Sequence, residues 1–160
     1  MAFAGFPRQV RSIPVPNPVF GPLLEQIDDL AELKCTLRVI WMLHQKKGRP
    51  RFVTLKELLA DRTLARALSN GGSADPSPVE QALARAIHRG TLATGVVGRA
   101  GDGERLYALN TESDRNALAG MVGGSIDAGP MPKAEPWEGA IQRPNIFALY
   151  EDNIGMLSPM

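Results

Sequence analysis

The sequence contains one cysteine and two histidines, and this shortage excludes several kinds of chemistry. A single cysteine, Cys35, cannot form a disulfide within the chain. It lies in the apolar run LKCTLRVIWML, which favours an inert buried thiol because a free cysteine packs as a small hydrophobe. Cys35, His44 and His88 cannot supply the ligands of a usual Cys/His zinc site. We therefore expect no metal and no cofactor.

Long hydrophobic runs and an excess of one charge are also missing. No stretch approaches the roughly 18 apolar residues of a membrane-spanning helix. Prolines interrupt the N-terminal sequence MAFAGFPRQVRSIPVPNP, which lacks the apolar core of a signal peptide. Because the net charge is only +1, affinity for nucleic acid would have to come from a local basic patch. These properties predict a globular, cytoplasmic protein without a membrane partner.

Catalytic motifs are absent from the sequence as well. His44 and His88 have no evident Ser, Cys or carboxylate partner. The glycines of RAGDGE do not match the G-x-x-x-x-G-K-[ST] pattern of a phosphate-binding loop. Asp28 and Asp29 suit the start of a helix better than a metal-binding pair. The sequence therefore predicts a protein that is not an enzyme.

Proline shapes the N-terminal arm, residues 1–18. The prolines of RSIPVPNP fix φ and exclude a helix, so the arm is predicted to be extended. Ile13 and Val15 alternate with these prolines, which is typical of an edge strand that lies on another surface. A loose tail is the alternative.

Local start and stop signals then predict a series of helices. Thr54 and Glu57 form a T-x-x-E capping box, and Ser77 with Pro78 starts a helix that Gly90 ends. Apolar spacing places Phe20 and Leu24 inward in the first helix, and Leu55, Leu58 and Leu59 inward after the capping box. The predicted helices cover residues 19–26, 29–48, a stretch from 55 onwards, 78–89 and 112–122.

Two short β-capable segments lie between the last two helices. TLATGVVG and RLYALN flank a Gly/Asp turn and predict a β-hairpin. Core helices followed by a two-stranded wing are typical of a winged helix-turn-helix domain, so the predicted fold is mainly α with a small β-hairpin. The sequence divides into an arm (1–18), a winged-helix domain (19–121), a Gly/Pro-rich linker (122–143) that we expect to be mobile, and a final segment (144–160).

The second helix is apolar on nearly all sides. One stripe contains Leu30, Leu37 and Trp41, and a second contains Cys35 and Val39. Such a helix is either surrounded by its own domain or shares a face with a partner. Both interpretations remain open on the sequence alone.

Basic side chains are few near the predicted wing. A helix that reads DNA directs Arg, Lys, Asn or Gln at base edges. The basic side chains in and around the predicted wing form a modest set, and Asp102 and Glu104 offset part of its charge. This set is either an ordinary solvated surface or a site of weak, salt-sensitive phosphate contact. It does not indicate sequence readout. The candidate nucleic-acid residues are Arg85, His88 and Arg89, Arg99 and Arg105, and Lys46 and Lys47, with Gln81, Arg49 and Arg51 nearby in sequence.

The end of the chain, NIFALYEDNIGMLSPM, resembles the start of the C-terminal domain of the DnaD family of primosomal replication-initiation proteins. That domain opens with an apolar helix followed by a pattern close to Y-E-x-N-x-G-x-L-[ST]-P. The matching residues are Tyr150, Glu151, Asn153, Gly155, Leu157, Ser158 and Pro159. Upstream, IDDLAELKCTLRVIWMLHQKKG and RFVTLKELLADRTL resemble the family's N-terminal stretch by pattern.

The resemblance implies a scaffold for replication initiation or restart. A winged helix would self-associate into a homo-oligomer and dock other primosome or helicase-loading proteins, while a C-terminal domain truncated here would do most of the DNA binding. The residues expected to mediate self-association are Ile13, Val15, Phe20, Leu37 and Trp41. The alternative is a winged-helix transcription regulator that reads duplex DNA through the helix before the wing.

Overall fold

The computed structural model describes residues 2–69, 76–99, 101–123 and 126–129. Within them the protein is mainly helical and has a small three-stranded antiparallel sheet. The elements are a 3-10 helix (Asn17–Phe20), α1 (Pro22–Gln26), α2 (Leu30–Gln45), β1 (Val53–Thr54), α3 (Leu55–Ala60), α4 (Arg62–Leu68), α5 (Ser77–Arg89), β2 (Leu92–Val97), β3 (Glu104–Leu109) and α6 (Glu112–Val122).

The first predicted helix is two short segments. Pro22 has no N–H and Gly21 lies outside the helical region, so the 3-10 helix and α1 remain separate. Val19 is buried, whereas Phe20 and Leu24 are exposed. The prediction that the latter two side chains face inward is therefore wrong, because one continuous helical periodicity does not apply across the break.

Capping explains where the longer helices start. The Asp29 carboxylate accepts the Glu32 N–H at 3.1 Å, which confirms the predicted start of α2. The predicted capping box is present: Thr54 Oγ1 accepts the Glu57 N–H at 3.1 Å, and Glu57 Oε2 accepts the Thr54 N–H at 2.8 Å. Directly after α5, Gly90 adopts the left-handed conformation that ends this helix.

The helix after the capping box is broken at Asp61. This residue is extended, and its carboxylate accepts the Leu64 N–H at 2.7 Å, so it ends α3 and caps α4. The break changes the direction of the chain and leaves Leu59 exposed while Leu58 and Leu64 are buried. The inward placement of Leu59 is therefore wrong.

The predicted hairpin is formed by β2 and β3, and β1 adds a short third strand in the order β1-β3-β2. On one face, Leu92 and Tyr107 join a core with buried side chains of α2 to α5. On the other face, Ala93 and Leu106 pack with Leu118 of α6. The sheet thus separates a helical bundle from α6.

The start of the predicted linker belongs to the packed domain. The Thr94 N–H donates to the Asp127 oxygen at 2.8 Å, and the Asp127 N–H returns a bond of 2.9 Å. Ala128 is buried, and Asn110 Nδ2 donates to its oxygen at 3.0 Å and to the Gly90 oxygen at 2.7 Å. The folded unit therefore reaches at least Gly129, and the later part of the linker and residues 144–160 lie outside the described residues.

The described part of the arm has no regular secondary structure before Asn17. Ile13 and Val15 are half-buried while Pro14 and Pro16 are exposed, so the predicted alternation is present. Val15 contributes to the wall of a cleft, which places the arm on its own domain. None of the helices in the described ranges is long and apolar enough to cross a membrane.

Candidate interaction site

Two arginines of α5 meet acidic side chains of α2. Arg89 Nε lies 2.6 Å from Glu32 Oε1, and Arg89 Nη2 lies 3.1 Å from Glu32 Oε2, so the pair is bidentate. One turn earlier, Arg85 pairs with Asp29. Both acids lie at the N-terminal end of α2, where they also favour the helix dipole. The contacts therefore fix the register between the two helices.

The Arg89–Glu32 pair is mostly removed from water. The Glu32 side chain is only 1% exposed and that of Arg89 is 24% exposed. The hydrogen bond to Glu32 raises the pKa of the Arg89 guanidinium. A buried carboxylate is costly without a partner, so this arginine is held in place by the acid that it neutralises. Arg89 is therefore not available to read a base edge.

Arg85 is held more loosely. Its side chain is 53% exposed, and it shares its partner Asp29 with the N-cap of α2. Partial burial acts to raise the pKa of the Asp29 carboxyl, but the hydrogen bonds from Arg85 and from the Glu32 N–H outweigh it and lower the pKa. Arg85 could leave this surface pair for a phosphate at small cost.

The other candidate basic residues are dispersed over three parts of the chain. Lys46, after α2, pairs with Glu57 of α3, whereas Lys47 is exposed. Arg99 and Arg105 are exposed on the hairpin, and His88 is exposed on α5. In the described structure, two of the three α5 candidates and one of the two lysines are thus paired with acids.

The outward face of α2 carries a different kind of surface. Its exposed positions recur at helical spacing and include Leu30, Leu37 and Trp41, which are 62%, 41% and 40% exposed. Lys34 and Gln45 occupy the same face. We call these five residues the α2 face. The spacing places them in one exposed stripe of the helix.

The Trp41 ring is stacked against a neighbouring arginine at this face. The Arg38 guanidinium lies 4.0 Å from the centre of the Trp41 ring. Arg38 is itself fixed by Asp61, with Nε–Oδ1 and Nη2–Oδ2 distances of 3.0 and 2.8 Å. The hydrogen bond from Arg38 lowers the pKa of the Asp61 carboxyl. A pre-ordered aromatic ring loses little side-chain entropy when a partner covers it.

The predicted self-association residues fall into two groups. Phe20, Leu37 and Trp41 are exposed and available to a partner. Ile13 and Val15, which belong to the arm, are half-buried. The motif residues Tyr150 to Pro159 lie outside the described residues. The structure therefore brings Leu37 and Trp41 together on one helix face.

Sequence reasoning missed Leu30 and Glu32. The predicted self-association residues omit Leu30, although it shares the stripe of Leu37 and Trp41 and is exposed directly after the N-cap. Glu32 is an acid on the inward stripe of Cys35 and Val39, spaced three and seven residues ahead of them. An acid at such a position signals a buried partner, but the sequence does not identify Arg89 as that partner.

Metal and thiol chemistry have no support in the described residues. No group of three or more His, Cys, Asp or Glu side chains there could hold a metal ion. Burial, together with the charge of Glu32, raises the pKa of the Cys35 thiol to about 12. This thiol is protonated at neutral pH and therefore a poor nucleophile.

Comparisons of the chain with protein-family models, with curated proteins and with solved structures gave no match.

Proposed function

We propose that this protein is a non-enzymatic scaffold of DNA-replication initiation or restart, built on a winged helix-turn-helix domain that self-associates. The order of α2, α4, α5 and the β2–β3 hairpin supports the winged-helix assignment. The replication role rests on the resemblance of residues 150–159 to the DnaD-family motif. Other primosome or helicase-loading proteins are the partners that this role implies.

The observation that carries self-association is the α2 face. Aromatic residues are enriched at the energetic centres of interfaces, and Trp41 is both exposed and held in position by Arg38. Eight of the eleven large hydrophobic side chains that are exposed in the described residues lie within residues 2–41. Three of them, Leu30, Leu37 and Trp41, share one face of α2, and clustered apolar side chains favour an interaction surface over scattered exposure.

The ion pairs of α5 favour a scaffold over a recognition helix that contacts base edges. Arg89 neutralises a buried carboxylate, and Arg85 already has a carboxylate partner. A duplex would have to take Arg89 from the buried Glu32, whereas Arg85 can leave its exposed pair at small cost, so it is Arg89 that favours the scaffold. Weak, salt-sensitive DNA contact through Arg99, Arg105 and Lys47 remains compatible with the scaffold role.

The test of self-association is the molar mass of the chain in solution. Multi-angle light scattering across a concentration series should give an oligomer, and Leu37→Asp and Trp41→Asp should each give monomers with unchanged circular dichroism. Met121→Asp is the matched control, because Met121 is equally exposed on α6. A monomeric wild-type chain, or an oligomer that both variants retain, would contradict the proposal.

The second candidate is a regulator that reads duplex DNA, favoured by the exposed Gln81 and His88 on α5. Measuring the binding of single-stranded, duplex and forked DNA over a salt series separates the scaffold from the regulator. Each phosphate contact on a duplex steepens the plot of log binding constant against log salt concentration by about 0.9. The scaffold role predicts negligible binding at moderate salt. Sequence-dependent duplex binding that Arg85→Ala weakens by about 1–3 kcal/mol would favour the regulator.

A further inference from the structure

A cleft lies between the N-terminal arm, the C-terminal end of α2 and the start of α6, apart from the α2 face. Its volume is about 470 Å³, within the usual range of ligand-binding clefts. The lining residues are Pro14, Val15 and Pro16 of the arm, Leu43 and His44 of α2, Arg49 and Arg51 of the following loop, Leu109 of β3, and Thr111, Ser113 and Asp114 at the start of α6.

The two arginines of this cleft differ from the ion-paired arginines of α2 and α5. Arg38, Arg85 and Arg89 each pair with a carboxylate. In the described residues no carboxylate pairs with Arg49 or Arg51, and Arg51 makes only a long contact of 3.4 Å from Nε to the Gly48 oxygen. These guanidinium groups retain their capacity for a bidentate bond to an anionic oxygen.

The only acid among the lining residues is already engaged. Asp114 Oδ2 accepts a hydrogen bond of 2.7 Å from Thr111 Oγ1, and the Asp114 N–H donates back to that oxygen at 3.1 Å. The positive end of the α6 dipole adds to the field of the two arginines. The Asp114 carboxylate keeps its charge in these hydrogen bonds and offsets one of the two arginines, so the cleft retains a net positive charge and favours an anion.

The remaining walls are apolar and include extended backbone. Val15 and Leu109 are half-buried and provide contacts for one apolar side chain, with the buried Leu43 behind them. The N–H and C=O groups of Val15 have no hydrogen-bond partner in the described structure, so they can pair with a second extended chain. Available backbone groups beside unpaired arginines favour a peptide over a compact small molecule.

We propose that this cleft binds an acidic peptide segment of a partner protein, with one apolar side chain on Val15 and Leu109 and neighbouring carboxylates on Arg49 and Arg51. The site is distinct from the α2 face and does not depend on self-association. A protein could occupy it whether or not the chain forms oligomers.

The test uses two fluorescein-labelled peptides and the full chain. The probe is Glu-Asp-Leu-Phe-Asp-Glu, and the control is its charge-reversed counterpart Lys-Lys-Leu-Phe-Lys-Lys. Anisotropy should show saturable binding of the acidic peptide that weakens as salt rises. Arg49→Gln and Arg51→Gln should each weaken it about tenfold, since each removes a charge-assisted hydrogen bond. Arg62→Gln and Arg66→Gln, on the exposed side of α4, are the matched controls and should bind as the wild type does.

The location is checked by NMR, where amide shifts caused by the acidic peptide should concentrate at Val15, His44, Leu109 and Thr111. The proposal is overturned if the acidic peptide shows no saturable binding or if both peptides bind equally. It is also overturned if the Arg49 and Arg51 variants bind with wild-type affinity, or if the amide shifts spread over other surfaces. Repeating the titration with Trp41→Asp separates this site from self-association, because the cleft is intact in that variant.

Discussion

At the scale of single residues, the Arg89–Glu32 pair contains the most buried carboxylate of the ion pairs in the described residues. Replacing Arg89 by Leu leaves the Glu32 carboxylate buried without its partner, and we expect the free energy of unfolding to fall by about 3–5 kcal/mol. Urea denaturation measures this change. The double replacement Glu32→Leu with Arg89→Leu should recover most of the loss, because two apolar side chains can pack where the ion pair was. A loss of less than about 1 kcal/mol in the single variant would mean that water reaches Glu32.

Asp61 gives the stability a dependence on pH. The pKa of its carboxyl is below the ordinary value of 3.8 in the folded protein, so the ionised form favours folding. This contribution is complete above 3.8 and is lost as the pH falls through the lowered pKa. Asp61→Asn keeps an N-cap for α4 but removes the charge. The loss of unfolding free energy between neutral and acidic pH should therefore be smaller in Asp61→Asn than in the wild type, and equal losses would show that Arg38 contributes no ionic stabilisation.

At the scale of elements, Asn110 joins three parts of the fold. Its Nδ2 donates to Gly90 at the end of α5 and to Ala128, and its Oδ1 accepts from Arg115 Nη1 of α6 at 3.0 Å. In Asn110→Ala, we expect residues 126–129 to separate from β2 and the Asp127 amide to lose protection from hydrogen exchange. Asn116→Ala, on the exposed side of α6, is the control. Unchanged protection of Asp127 would show that the bridge to Thr94 suffices by itself.

The elements themselves were largely predictable because their signals are local. The Asp29 and Thr54 caps, the Gly90 terminator and the Gly/Asp turn of the hairpin each act within a few residues, and all of them are present in the structure. The break at Asp61 was missed because Asp is compatible with both a helix surface and an N-cap. The candidate sites were less predictable, since the pairing of Arg89 with Glu32 spans 57 residues and no local pattern encodes it.

At the scale of the whole molecule, charge and apolar surface are distributed unevenly. Ion pairs neutralise several basic residues of the helical bundle, whereas the arm and α2 carry six of the eleven exposed large hydrophobic side chains of the described residues. If oligomers form through the α2 face, dilution should favour unfolding, so the midpoint of thermal unfolding should rise with protein concentration. Trp41→Asp should make this midpoint independent of concentration. Calorimetry at several concentrations measures both, and a midpoint that is constant for the wild type would contradict association through folded subunits.

The attachment of residues 126–129 to the sheet also fixes the position of Gly129 relative to the domain. Asn110 holds this segment, and its two neighbours in sequence, Leu109 and Thr111, line the cleft. A peptide fused after Gly129 through a flexible tether long enough to reach the cleft would meet it at an effective concentration on the order of millimolar. Even a weakly binding acidic sequence would then occupy the cleft most of the time. A free competitor peptide would displace the tethered one, so the fusion could report on the competitor's presence.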